Sequence, residues 1–400
     1  MTRGPGMSRP AHIAMVNIPA HGHVYPSLEV IRELVARGHR VSYLNDPSFA
    51  EQIESTGARL VPYDTTLPFL KGAVDPETSA NVHGLILEDA KTMLPRLREA
   101  FQDDRPDLVL YDFMAYAGRV LADGWGVPAM AISPSMVAWD GFEQEMADRF
   151  QMARDALATE GYQERFAQWL LENGLESPDP FAYMLRPDRA IAVIPRVLQP
   201  KIDLVDPEVF SFVGPCLGPR EHQGGWTRPE GAEKVLLISL GSAFTHQPGF
   251  YRECLKAFGD LPGWHVVLQV GKTTDLAELG DIPANIEVHR WVPQFAVLQQ
   301  ADAFVTHAGM GGCSEGLYCG LPMVAVPQAA DQFANADRLV ELGVGRRLDT
   351  ADATAEALRS AVLELIGDPV VAARLAEISR DVRAGGSSAK AADVIEAALV

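Results

Sequence analysis

Apolar residues recur along this chain with two different periods, and the switches between them predict its elements. His12 to Ile18 reads as an apolar strand, followed by a loop over Pro19, Ala20, His21, Gly22, His23, Val24 and Tyr25. Pro26 suits the first turn of a helix, where its missing N–H is not needed. Leu28, Ile31, Leu34 and Val35 give that helix one apolar face, Gly38 ends it, and Arg40 to Leu44 returns as a second strand. Further strands are expected at Leu108–Tyr111, Ala129–Ile132, Ala190–Ile194 and Val209–Val213. Alternation of strand and helix predicts a parallel sheet covered by helices. The stretch Glu143 to Glu172 interrupts it as a helical insertion capping this first domain.

Breakers then cluster: Gly214, Pro215, Gly218, Pro219, Gly224, Gly225, Pro229 and Gly231 predict a linker. A second alternation follows, with strands at Val235–Leu240, Val266–Val270, Ile286–His289, Ala303–Thr306 and Met323–Val326. Helices over Ala355–Ile366, Val370–Val382 and Ser388–Leu399 close the chain. The expected organisation is an α/β chain of two doubly wound, Rossmann-like domains. Residues 1–213 form the first domain, 214–233 the linker, 234–385 the second domain and 386–400 a terminal helix.

Composition narrows the function. At 400 residues the chain fits two cores rather than one, and with 47% apolar and 22% charged residues it is an ordinary globular protein. A formal net charge of −19 argues against nucleic acid, which needs a basic footprint. The four cysteines, Cys216, Cys254, Cys313 and Cys319, form no C-x-x-C pair and read as reduced. The N-terminus carries no apolar signal segment, and no run approaches the ~18 apolar residues of a membrane span. A cytoplasmic enzyme is the expectation.

Its chemistry is concentrated between Trp291 and Gln332. Trp291 offers a flat face for a planar base, with Val292 beside it in the donor-binding set, and Gln294 offers an amide for the base edge. His307 and the turn Gly309, Gly311, Gly312 and Cys313 lead from a strand into a helix. Such a turn aims N–H groups at an anion such as a diphosphate. Ser242, after the first strand of the second domain, can add a donor. Glu315, expected on the first turn of that helix, can accept two ribose hydroxyls. Asp331 and Gln332 could bind sugar hydroxyls, although by position Asp331 could also be only a helix N-cap. In the first domain His23 is by position either a general base or a loop histidine that caps the helix or simply faces solvent. Asp112, at a strand end, is either its partner or an N-cap.

This set resembles the nucleotide-sugar signature of family 1 glycosyltransferases, with eight residues from His307 to Glu315 and sixteen more to Asp331. The interval from Trp291 to His307 is two residues shorter than in plant members, and Gly311 and Gly312 stand where those carry Asn-Ser. Both departures are similar to actinomycete macrolide glycosyltransferases, and that likeness extends over nearly the whole chain. The resemblance implies the GT-B fold, with the last helix crossing back onto the first domain. It also implies His23 as the base, Asp112 as its partner, and an inverting transfer from a UDP-sugar, with glucose the expected sugar.

No Asp-x-Asp triplet stands at a strand end, so the phosphates are expected to be held without metal or other cofactor. The acceptor is expected to be a macrolide or similar lipophilic molecule, in a region that includes Phe113, Met114, Tyr116, Met136, Trp139, Phe142 and Met146. The alternatives are a deoxysugar transferase of antibiotic biosynthesis, an epimerase or cell-wall enzyme of the same fold, and a noncatalytic auxiliary protein. The last would be expected to lack His23 or the residues from His307 to Gln332.

Overall fold

A computed structural model describes residues 10–68, 82–145, 161–176, 183, 186–218 and 224–399. Met146, expected near the acceptor, lies outside them, as does half of the insertion; its described parts include the helices Phe142–Glu145 and Tyr162–Glu172.

Strands β1 (His12–Val16), β2 (Arg40–Asn45), β3 (Arg59–Pro62), β4 (Leu108–Asp112), β5 (Ala129–Ser133), β6 (Ala190–Ala192) and β7 (Phe210–Phe212) form one parallel sheet, ordered β3-β2-β1-β4-β5-β6-β7. The second, also parallel, contains β8 (Lys234–Ser239), β9 (Trp264–Gln269), β10 (Ile286–His289), β11 (Ala303–Thr306), β12 (Met323–Ala325) and β13 (Gly345–Arg347), ordered β10-β9-β8-β11-β12-β13. Every residue of β1, β4 and β11 is buried, which is why these strands read as unbroken apolar runs. Removing one such side chain, as in Leu110→Ala, is expected to cost about 2–5 kcal/mol through lost contacts and the cavity left behind.

Each sheet reverses its strand order once, and these reversals position the site. In the first the reversal lies between β1 and β4, with Val16 beside Tyr111. In the second it lies between β8 and β11, with Ser239 beside Thr306. Loops leaving two such strands diverge to opposite sides of the sheet and open a crevice at the carboxyl ends.

The two halves touch extensively. Val137, Ile194, Leu198 and Val205 share an apolar core with the second-domain residues Leu237, Phe304 and Leu339. Arg338 donates from Nε and Nη2 to the carbonyl of Val197 at 3.1 and 2.9 Å. The terminal helix Ser388–Glu396 returns to the first domain and packs on the helix His21–Ala36. Arg37 reaches Asp393 at 2.6 Å, Glu396 at 2.9 Å and the Ala389 carbonyl at 2.9 Å, while Ala391, Ala392 and Ile395 are buried below.

Candidate active site

The first helix begins at His21, five residues earlier than Pro26 suggests, so His23 lies inside its first turn rather than in a loop. Proline marks a helix start because it lacks an N–H. Here Pro26 stands in the second turn, and other bonds hold the helix start. Val24 N–H donates to the Ala20 carbonyl at 2.9 Å, Ser27 Oγ donates to Val24 at 2.8 Å, and Asn17 Nδ2 donates to the His23 carbonyl at 3.0 Å. Asn17 also meets Tyr43 Oη at 3.0 Å, which in turn meets Ser27 Oγ at 2.8 Å. A buried polar network therefore fixes the backbone that carries His23.

Because β1 and β4 are neighbours, the residues following them converge: His23 Nδ1 lies 2.9 Å from Asp112 Oδ2. Asp112 is buried, and its other oxygen accepts from the Met114 N–H at 2.9 Å. With Nδ1–H given to Asp112, Nε2 of a neutral His23 is left as an acceptor. Burial pushes the imidazole pKa down, but the Asp112 charge and hydrogen bond, aided by the Asp331 carboxylate of the other domain, outweigh it and raise the pKa above 6.5. Phe113 stacks on His23 with ring centroids 5.8 Å apart.

Across the crevice, His307 leaves β11 into a turn that requires unusual backbone. Ala308 has φ +60°, a left-handed conformation held by Thr306 Oγ1 on its N–H at 3.1 Å and Asn335 Nδ2 on its carbonyl at 2.9 Å. The His307 ring is wedged between two glycines. A Cβ on Gly241 would fall 2.6 Å from its Cε1, and one on Gly309 would fall 2.4 Å from its Nε2. Burial lowers its pKa to about 4, against a weaker opposing backbone contact from Ser239, so the ring is neutral at physiological pH.

The helix Met310–Cys319 starts directly after Gly309, its N-cap. Gly311 faces open space, Gly312 packs near Thr306 and Phe304, and Cys313 is buried. Glu315 sits in the second turn of this helix, not the first; the distance from His307 leaves room for the intervening turn before the helix begins. Glu315 is buried and accepts from Gln294 Nε2 at 2.8 Å. With Pro26, Pro134, Ile194, Met310 and Ser314 it lines a crevice between the domains.

Trp291 is exposed, Val292 is buried beneath it, and Ser242 is exposed in the loop after β8. Asp331 occupies the N-cap position of the helix Gln332–Glu341 but makes no capping bond; its Oδ2 accepts from Asn335 Nδ2 at 3.0 Å. The residue is exposed, yet desolvation of its carboxyl raises its pKa. The carboxamide oxygen of Gln332 is taken up by its own turn, accepting from the N–H groups of Gln328 at 2.7 Å and Ala329 at 3.0 Å.

The acceptor region divides. Phe113, Met114, Met136, Trp139 and Phe142 are half-buried, whereas Tyr116 lies inside the first-domain core with its ring edge on Phe166. Met136 and Trp139 pack against the core that joins the domains. Among the described residues, no group of three His, Cys, Asp or Glu side chains could hold a metal, and no helix is long and apolar enough to cross a membrane.

Asn17, Asn335 and Gln269 carry no motif in the sequence that marks them as site residues. Their one signal there is a polar residue at or just after the end of an apolar run, or at helical spacing from Asp331.

Residues 253–397 match the family described as Erythromycin biosynthesis protein CIII-like, C-terminal domain. The chain is 55% identical over 398 residues to the oleandomycin glycosyltransferase of Streptomyces antibioticus, spanning 98% of this chain and 91% of that one. It is 37% identical over 402 residues to the NDP-glycosyltransferase YjiC of Bacillus licheniformis, spanning 97% and 98%. The crystal structure of the glycosyltransferase of kitacinnamycin superposes with a TM-score of 0.90 at 50% identity, covering 98% of this chain and all of the other.

Proposed function

The chain belongs to the GT-B glycosyltransferases of family 1, the group that contains the actinomycete macrolide enzymes, and from this premise we propose that it moves glucose from UDP-glucose to a hydroxyl of a macrolide or similar lipophilic natural product, with inversion. The observation that carries the reading is the His23–Asp112 pair, 2.9 Å apart, with the Asp331 carboxylate of the donor half close enough to act on the same imidazole.

In this reading the macrolide hydroxyl gives its proton to His23 Nε2 as its oxygen attacks the anomeric carbon from the face opposite the diphosphate. Asp112 stabilises the imidazolium that forms. The nucleoside diphosphate leaves toward neutral His307 and the N–H groups of the Gly309–Cys313 turn, donors already in place before the charge develops. No metal enters the scheme. Trp291 stacks on the base, and Glu315 accepts ribose hydroxyls. An auxiliary role without catalysis has no use for the Asp112 carboxylate buried behind His23.

One observation favours a second reading. With the Gln332 oxygen committed to its turn, the sugar site holds one acceptor fewer than the sequence suggested. That suits a deoxysugar carried on a nucleoside diphosphate. Mass spectrometry of products from UDP-glucose, UDP-galactose and TDP-deoxysugars, each with a macrolide panel and a no-acceptor control, separates the two. A hexose adduct from UDP-glucose is expected. Adducts only from TDP-deoxysugars would replace the first reading with the second, and no adduct from any pair would overturn both.

A further inference from the structure

β9 runs between β8 and β10, so its last residue lies between the two loops that leave those strands toward the donor. That residue is Gln269, in register with Ser239 on one side and His289 on the other. It is buried directly after the apolar run Val266–Leu268, where a polar side chain needs partners. Both ends of its carboxamide have one. Nε2 donates to the Gly241 carbonyl at 2.9 Å, and Oε1 accepts from the Val292 N–H at 3.1 Å.

Each partner belongs to a different part of the donor site. Gly241, at φ +80°, lies directly against the His307 ring. Val292 follows Trp291, the exposed indole. One side chain thus spans from the backbone beside the diphosphate-binding histidine to the backbone beside the base-stacking tryptophan. Neither loop is tied to the other by strand pairing, because both lie beyond the sheet.

We infer that Gln269 is a positioning residue for the donor, setting the spacing between the base platform and the diphosphate turn so that one nucleotide engages both at once. It touches no reacting atom. A ligand that bridges two subsites gains over its separate halves only if the subsites are held at the span of the ligand. Loosening that span costs the whole nucleotide more than either half. A carboxylate at 269 keeps the acceptor for Val292 N–H but sets two oxygens against each other at Gly241. Leucine, of similar size, removes both bonds.

The inference rests on the proposed reading that Trp291 and His307 hold the two ends of a nucleoside diphosphate, and the test separates the two. Affinities of the full chain for UDP, TDP, uridine and pyrophosphate are measured by competition calorimetry for wild type, Gln269→Leu and Gln269→Glu, with near-UV circular dichroism reporting the fold. For Gln269→Leu, UDP is expected to bind about 10-fold weaker, a part of the roughly 10²- to 10⁴-fold that bridging two subsites can add, while uridine and pyrophosphate each change by about 2-fold or less. Gln269→Glu should spare uridine while weakening UDP. Donor KM rises with kcat nearly unchanged. If the probes weaken in parallel, or UDP affinity is unaltered in both variants, Gln269 does not set the span. Wild type that binds neither UDP nor TDP would instead overturn the nucleotide site itself, and with it this inference.

Discussion

His23 Nδ1 lies 2.9 Å from Asp112 Oδ2, joining the start of a helix to the end of a strand 89 residues further along the chain. The sheet order makes this contact possible, since β1 and β4 are neighbours although β2 and β3 intervene in sequence. The contact fixes the tautomer and raises the imidazole pKa, and both effects can be measured.

The first prediction concerns pH. A base must be neutral to act, and His23 titrates above its ordinary 6.5 because Asp112 and Asp331 outweigh the effect of burial. kcat/KM is expected to rise with pH through an inflection above 6.5, and His23→Ala should lose about 10²- to 10⁴-fold in turnover while nucleotide still binds. Folding stability has the opposite slope. The charged pair stabilises the native state fully below 6.5, and this contribution disappears as pH rises through the higher native pKa. Near-normal turnover in His23→Ala would remove the base assignment.

Asp112→Asn separates orientation from charge. An asparagine keeps the size of the carboxylate but can present an N–H to Nδ1, favouring the tautomer whose Nε2 carries the proton. Turnover should fall by on the order of 10²- to 10⁴-fold. Residual activity should show its inflection at lower pH than wild type, because burial then acts with less opposition. An unchanged inflection would mean that Asp112 does not set the pKa of the working base.

Glu315 is poised to discriminate nucleotides by their ribose. Its carboxylate is buried and already oriented by Gln294. A UDP-sugar offers two ribose hydroxyls and a TDP-sugar one, so Glu315→Ala should raise the KM of the UDP donor more, by roughly a further 10-fold for the extra charge-assisted bond. The KM ratio of the two donors in each protein is the measurement, and any general loss of packing cancels in it. Equal losses for both donors would place Glu315 away from the 2′-hydroxyl.

Much of this site was legible because strands buried on both faces announce themselves. The runs of β1, β4 and β11 predict where the chain leaves each sheet, and His23, Asp112 and His307 stand at or just beyond those carboxyl ends, in a helix start, a strand end and a turn respectively. The helix starts earlier than Pro26 indicates because proline is a local signal, while the bonds from Asn17, Ser27 and Tyr43 that hold the earlier turn come from folding. Gln269 escaped for the same reason: its importance comes from the strand order that puts β9 between β8 and β10. Tyr116 shows the limit of composition, since an aromatic residue near the first-domain rim can equally be core.

The last prediction uses the other histidine, whose titration runs the opposite way. Burial lowers His307 to about 4, so the ligand-free native state keeps it neutral while the unfolded chain takes a proton near 6.5. Between these values the unfolded state binds more protons, so stability falls as pH falls, by about 2 kcal/mol between pH 7.5 and 5 and about 3 kcal/mol at the limit. His307→Gln removes the titration and should be correspondingly less sensitive to acid. Urea midpoints of both proteins at pH 7.5 and 5 isolate the effect, because the other titrating groups are common to both. The Gly241 and Gly309 contacts leave little room for the ring to swing toward solvent and escape the penalty. Equal acid sensitivity in the two proteins would mean that His307 is hydrated in solution, and a hydrated His307 could not act as the dry, preformed donor assigned to it at the diphosphate.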